Sequence, residues 1–368
     1  PADAHHDCAK LRDIQESWEA RTRSLIGKVL RRSVREALLA RAMPLVAEAI
    51  DAGDAARPDD DPRLTSLGYL HGTPGYLQHF DVLFAEYQKQ TSGSRVRLIA
   101  PNLPDFSHTR STGGLFWHTT EEKVAFLRDL LLNRLQVTTI DCLVAHSAGA
   151  QTALALATEH HQDPDPGPRL KIRSIALLSP QPMLDPVAPA VRAAARRLFR
   201  LASLAGKVGA SEAFYRLLSV AQLHRLIRSA YRFATTDELL WALTTLVDLQ
   251  TPLSVQRRVN EVVQKSSSLP VTLLYGSRET IISRRAQHQF LTEYFGVPAE
   301  RFVFLDLSDD DAEGERGELG DLAKIQPGGD RIKAYYIKGG SHFAFARHAQ
   351  ATVRMIDCLL KTAAQDTA

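Results

Sequence analysis

The stretch Thr139-Ile140-Asp141-Cys142-Leu143-Val144-Ala145-His146-Ser147-Ala148-Gly149 decides how this chain is read. Thr139–Val144 is a short apolar run, which predicts a buried strand. Ala148–His160 then carries apolar residues at helical spacing. Only a sharp turn fits between the two. Such a turn needs small residues two before and two after its apex, and Ala145 and Gly149 meet that need. A serine at the apex lifts its hydroxyl above the strand end, the context of a nucleophile elbow. A turn that merely packs a helix onto a strand would use the same small residues, so the stretch alone leaves both readings open.

Outward from this turn, short apolar runs alternate with helical stretches. Ser66–Leu70, Arg95–Ala100, Ile172–Leu178, Pro270–Tyr275, Phe302–Leu307 and Ile332–Ile337 read as strands. Tyr76–Lys89, Thr120–Leu135, Ser283–Phe295 and Phe343–Lys361 read as helices. That alternation predicts an α/β fold with a mainly parallel sheet and helices on its faces. Sites in such sheets form at the carboxyl ends of the strands. The pattern divides the chain into a helical N-terminal extension and linker (1–63), a core (64–180 and 269–368), and a helical insertion, read as a cap (181–268). The polar stretch Ser308–Asp330 reads as a loop, peripheral or bordering the site.

Three more strand ends carry residue types that serve a nucleophile. After Leu70 comes His71-Gly72-Thr73-Pro74-Gly75. Acyl transfer puts negative charge on the substrate oxygen, which fixed N–H groups stabilise. The N–H of Thr73 and the N–H of Ala148, next after the serine, are the expected donors. After Ile337 comes Lys338-Gly339-Gly340-Ser341-His342, which makes His342 the candidate general base. His288 and His348 sit within predicted helices and are weaker candidates. After Tyr275 comes Gly276-Ser277-Arg278-Glu279, and Glu279 is the expected acid, holding the useful tautomer of His342. Two other readings stay open here: a surface Glu279 paired with Arg278, or Asp185 as the acid instead.

Taken together, HGTPG, AHSAG, GSRE and GGSHF, in that order and each at a strand end, resemble the α/β-hydrolase superfamily over roughly residues 64–360. The resemblance implies a sheet with helices on both faces, a cap, and a Ser147–His342–Glu279 mechanism on esters, thioesters or amides. The HGxPG form is similar to that of capped members such as proline-iminopeptidase-like and carbon–carbon-bond hydrolases. It also occurs in epoxide hydrolases, which need an aspartate where this chain has Ser147. Two features depart from the pattern. No clear pair of strands precedes Ser66, where Arg21–Ile50 reads as helix and Asp51–Arg63 as linker. Glu279 and His342 are also far apart in the chain.

Composition narrows the classes. A net charge of +3 does not suggest a nucleic-acid binder. Three widely spaced cysteines, Cys8, Cys142 and Cys358, form neither a disulfide framework nor a CxxC metal pattern. They favour a reducing compartment, cytoplasmic or organellar, which the sequence does not fix. Residues 1–10 lack the shape of a signal peptide. The pairs His5-His6 and His160-His161 read as solvated side chains, and no metal or organic cofactor is implied. Arg21–Arg41 and Ala190–Phe233 are basic segments with interleaved apolar residues. Each reads either as a packed helix with one solvated face or as a helix resting on an anionic membrane surface, and for Arg21–Arg41 a dimer contact or a cover for the sheet edge is equally open. The expected partner is a small, medium-sized apolar or lipid-like ester or amide. A catalytically silent binding protein, or a lyase or C–C hydrolase with the same triad, remains an alternative.

Overall fold

The structure, a computed structural model, describes residues 49–52, 64–73, 75–90, 95–103, 120–158, 169–181, 259–260, 262, 269–307, 321–327 and 330–365. The basic segment Arg21–Arg41, Asp185, both adjacent histidine pairs and nearly all of the predicted cap lie outside these residues.

Eight strands form one sheet. They are β1 (Ala49–Ala52), β2 (Leu64–Leu70), β3 (Arg95–Pro101), β5 (Cys142–His146), β7 (Ile175–Leu178), β8 (Val271–Gly276), β9 (Val303–Leu305) and β10 (Ile332–Ile337). The order across the sheet is β1-β3-β2-β5-β7-β8-β10-β9. Every pairing is parallel except β1 with β3. Two-residue strands, β4 (Thr139–Ile140) and β6 (Lys171–Ile172), pair beside the starts of β5 and β7.

The strand alternation feeds two cores, one per face. Leu143, Ala145, Leu177 and Leu273 point to one side; Val144, Ala176, Leu178 and Leu274 point to the other. The first face is covered by α2 (Thr120–Arg128), α3 (Gly149–Thr158) and the turn after α4 (Arg284–Gln289). The second is covered by α1 (Asp81–Gln90), α5 (Ala344–Arg347) and α6 (Ala349–Gln365). All ten residues of α3 are buried, which is why its sequence, GAQTALALAT, lacks a polar face.

Four expectations need correction. Residues 49–52 are not the end of a helix and the start of a linker; they form the antiparallel edge strand β1, with Ala49 opposite Pro101 and Ala52 opposite Leu98. The stretch Ser308–Asp330 is not wholly peripheral: Leu322 and Ile325 are buried in the second core, and the Ile325 carbonyl accepts from Arg354 Nε on α6. The helical stretches Thr120–Leu135 and Ser283–Phe295 do not stay α-helical, because each ends in a wider π turn, Asp129–Arg134 and Phe290–Tyr294. Val259 and Val262, assigned to the insertion, are buried in the first core.

Candidate active site

Ser147 follows the last residue of β5 and has φ 51°, the left-handed region that costs a residue with a Cβ about 1–3 kcal/mol. The turn is held from several sides. Ser147 N–H donates to Leu178 O at 3.0 Å, extending the ladder to β7. Ser147 O accepts from Ala150 N–H and from Gln181 N–H, both at 3.1 Å. Gly149 is required by close packing: a Cβ there would lie 2.6 Å from His71 O and 2.8 Å from Leu70 O. Likewise a Cβ on Gly72 would lie 2.9 Å from Ser147 Cβ, so the turn after β2 sits directly against the serine.

That turn is pinned by groups the sequence reading passed over. Leu103 N–H donates to His71 Nε2 at 2.9 Å, so the ring proton is on Nδ1. His71 Nδ1–H donates in turn to Gly72 O at 2.7 Å. Burial pushes the His71 pKa from 6.5 down to about 3, which keeps the ring neutral. At the other end of the turn, Leu77 N–H donates to the buried Asn102 side chain at 2.7 Å. Thr73 follows Gly72, which packs against Ser147, and Ala148 follows Ser147 itself; both are buried, and among the described residues neither N–H has a backbone acceptor.

His342 lies in the turn between β10 and α5. β8 and β10 run in register up to Gly276 and Ile337. Beyond them the two chains interlock. Ser277 Oγ accepts Gly339 N–H and Arg278 N–H donates to Gly340 O, each at 2.8 Å. A side chain at Gly276 would run into the Gly340 carbonyl. This interlock brings Glu279 Oε2 to 2.7 Å from His342 Nδ1, with both side chains buried. The other carboxylate oxygen accepts from Ile281 N–H at 2.8 Å and Ile282 N–H at 3.4 Å. Glu279 is therefore turned inward to the histidine, not paired with Arg278. His342 Nε2 is buried and has no hydrogen-bond partner, and its bond to Ser147 Oγ is not closed.

His146, next to the serine in sequence, is 1% exposed. Its Nε2 lies 3.2 Å from His342 O, and its ring packs 4.7 Å from the His342 ring. Burial, and secondarily the neighbouring His342 and His79, push its pKa well down. His79 is lowered by burial too. His71, His79 and His146 thus stay neutral around His342. They come from the end of β2, the short 3-10 turn Leu77–Phe80 after it and the end of β5, and no spacing in the sequence signals their clustering.

Of the other histidines considered, His288 is exposed on α4 against Phe302 and His348 ends α5. No group of three or more metal-binding side chains occurs among the described residues. No helix among them is long and apolar enough to cross a membrane.

Residues 69–355 match the model of the alpha/beta hydrolase family. The chain belongs to this family. At the level of class, that makes it a hydrolase. Among solved structures it is similar to a thermophilic esterase from Thermogutta terrifontis, with a TM-score of 0.54 and 13% identity, covering 87% of this chain and 94% of that one. It is also similar to a putative ancestral haloalkane dehalogenase, with a TM-score of 0.53 and 14% identity, covering 88% of this chain and 98% of that one. At such identities the likeness is one of fold. No curated protein matches the sequence.

Proposed function

We propose that this alpha/beta hydrolase is a serine hydrolase that cleaves an ester, thioester or amide of a medium-sized apolar substrate through an acyl-enzyme on Ser147. One observation carries the reading. The buried His342–Glu279 pair, 2.7 Å apart, leaves Nε2 bare, and its ring packs 4.7 Å from that of His146, the chain neighbour of a serine held at φ 51°.

In this mechanism Ser147 Oγ attacks the substrate carbonyl carbon while His342 Nε2 takes its proton. The tetrahedral oxyanion is met by the N–H groups of Thr73 and Ala148. The bond to the leaving group breaks as His342 returns the proton to it, leaving the acyl group on Ser147. Water then adds to the acyl carbon, again through His342, and frees the acid and the serine. Glu279 keeps the proton on Nδ1 throughout and stabilises the imidazolium that forms.

The test is labelling with a fluorophosphonate, followed by peptide mapping, on wild type and Ser147→Ala. Label on the Ser147 peptide, absent from the variant, supports the proposal and opens a screen of esters, thioesters and amides. A folded wild type that takes no label rejects the activated serine and favours a silent, ligand-binding hydrolase fold.

A further inference from the structure

We infer that His146 is a positioning residue for the general base: its Nε2–H holds the backbone carbonyl of His342 and so ties the base to the nucleophile's own neighbour. The inference rests on the serine-hydrolase reading above.

The need for such a tie lies in the chain around His342. Two consecutive glycines precede it at one residue's remove, Gly339 with φ 72° and Gly340. A Gly-Gly turn has little conformational preference of its own. Glu279 fixes Nδ1, but a single hydrogen bond leaves the ring free to pivot about it. The His146 contact supplies a second point of attachment on the backbone, at 3.2 Å. The same ring is wedged between Phe343 at 4.9 Å and Phe345 at 4.7 Å, which follow His342 in the chain. Since His146 is covalently joined to Ser147, the position of the base is referenced to the nucleophile through one peptide bond.

The protonation of His146 follows from its partner. A carbonyl oxygen only accepts, so Nε2 must carry the proton and Nδ1 must be bare. Nδ1 is buried without any partner, an arrangement folded proteins seldom keep without a reason. The ring is a donor that brings no charge. That matters because His342 becomes an imidazolium during the reaction, and a cationic neighbour would oppose this. The ionisable groups that face His146 are His342, His79 and His71, none of them an anion. Nothing in its surroundings draws a second proton onto it.

The experiment compares His146→Phe, which keeps an aromatic ring but donates nothing, with His146→Gln, whose amide keeps a donor at similar reach. The readouts are the second-order rate of Ser147 labelling by a fluorophosphonate and the downfield proton resonance of His342 Nδ1–H, assigned by its loss in Glu279→Gln. Displacing a catalytic group by a fraction of an ångström to an ångström costs up to about 100-fold, so His146→Phe is expected to label about 10–100-fold more slowly. Its downfield proton should broaden or vanish through faster exchange. His146→Gln should recover most of the rate and the sharp resonance. A ring that only fills space predicts the reverse order, with the phenylalanine variant the better of the two. Wild-type labelling speed and an unchanged proton signal in His146→Phe overturn the inference.

A further measurement needs no variant. In 15N-histidine-labelled wild type, His146 should be the neutral Nε2–H tautomer; the Nδ1–H tautomer overturns the inference even if no variant folds. A wild type that takes no label removes the serine-hydrolase reading, and the two resonance measurements then decide the tie alone.

Discussion

Glu279 holds His342 with one carboxylate oxygen while the backbone of the following turn holds the other, at Ile281 and Ile282. The acid therefore cannot swing away from the imidazole without breaking its own tether. Glu279→Gln places an amide where two donors and the Nδ1–H converge, which favours the wrong tautomer. Labelling of Ser147 is expected to slow by about 10²–10⁴-fold with the fold intact. Asp185→Asn should label at the wild-type rate. The opposite pattern would move the acid to Asp185.

Ser147 stores strain because its φ is 51°. Glycine has no Cβ to resist that conformation, though it loses more entropy on folding. Ser147→Gly and Ser147→Ala should both be inert to the probe. In urea unfolding the glycine variant is expected to be the more stable by about 1 kcal/mol. Equal stability would mean that the turn relaxes when the hydroxyl is lost.

Gly149→Ala brings a methyl group against the carbonyl oxygens of His71 and Leu70, at 2.6 and 2.8 Å before any adjustment. Both are backbone atoms at the end of β2 and have little room to move. The expected cost is roughly 1–3 kcal/mol in unfolding free energy. Labelling should fall as well, because the same shift displaces Thr73. A stable, fast-labelling Gly149→Ala would show that the turn after β2 does not bear on the serine.

Acid should destabilise this protein before its carboxylates explain it. Buried His71 has its pKa pushed from 6.5 to about 3, so the folded chain refuses a proton that the unfolded chain accepts. Its contribution is complete above about pH 6.5 and is lost as the pH falls towards about 3, at roughly 4–5 kcal/mol for the full span. His146 and His79 are lowered for the same reason and act in the same direction. Urea unfolding in steps from about pH 7 to about pH 4 should show stability falling throughout. His71→Asn should flatten part of that slope. A flat wild-type profile would reject buried neutral histidines as its cause.

Much of the core was legible because its signals are local. Seven of the sheet strands coincide with apolar runs, most of them buried on both faces although Phe304 on edge strand β9 is exposed, and Ile332–Ile337 matches to the residue. Strand β1 was not, since Ala-Ile-Asp-Ala has no clear period and is a strand only by pairing with β3. The π turns at Asp129–Arg134 and Phe290–Tyr294 keep the apolar spacing of the helices they end, so periodicity misses them. At the site, Ser147, His342 and Glu279 stood out because each follows a strand with small residues beside it. His71 and His146 lay inside the quoted motifs yet went unread. An imidazole is polar in a sequence, and only the packing of the β2 and β5 ends, with the turn after β10 folded against His146, shows that these rings are dry.

The in-step pairing of Val271–Gly276 with Ile332–Ile337 has a consequence for how this molecule can change. The spacing of acid and base is measured across the ladder, through the contact of Gly276 with Gly340, and not along the chain that joins them. The length of the joining chain therefore does not set that spacing, whereas a single added residue in either rail would throw the pair out of step. Grafted sequence, a reporter or a pair of new chain ends belongs in that chain's polar stretch before Leu322, clear of α4, β9 and the buried Leu322 and Ile325, between rails whose alignment it does not set.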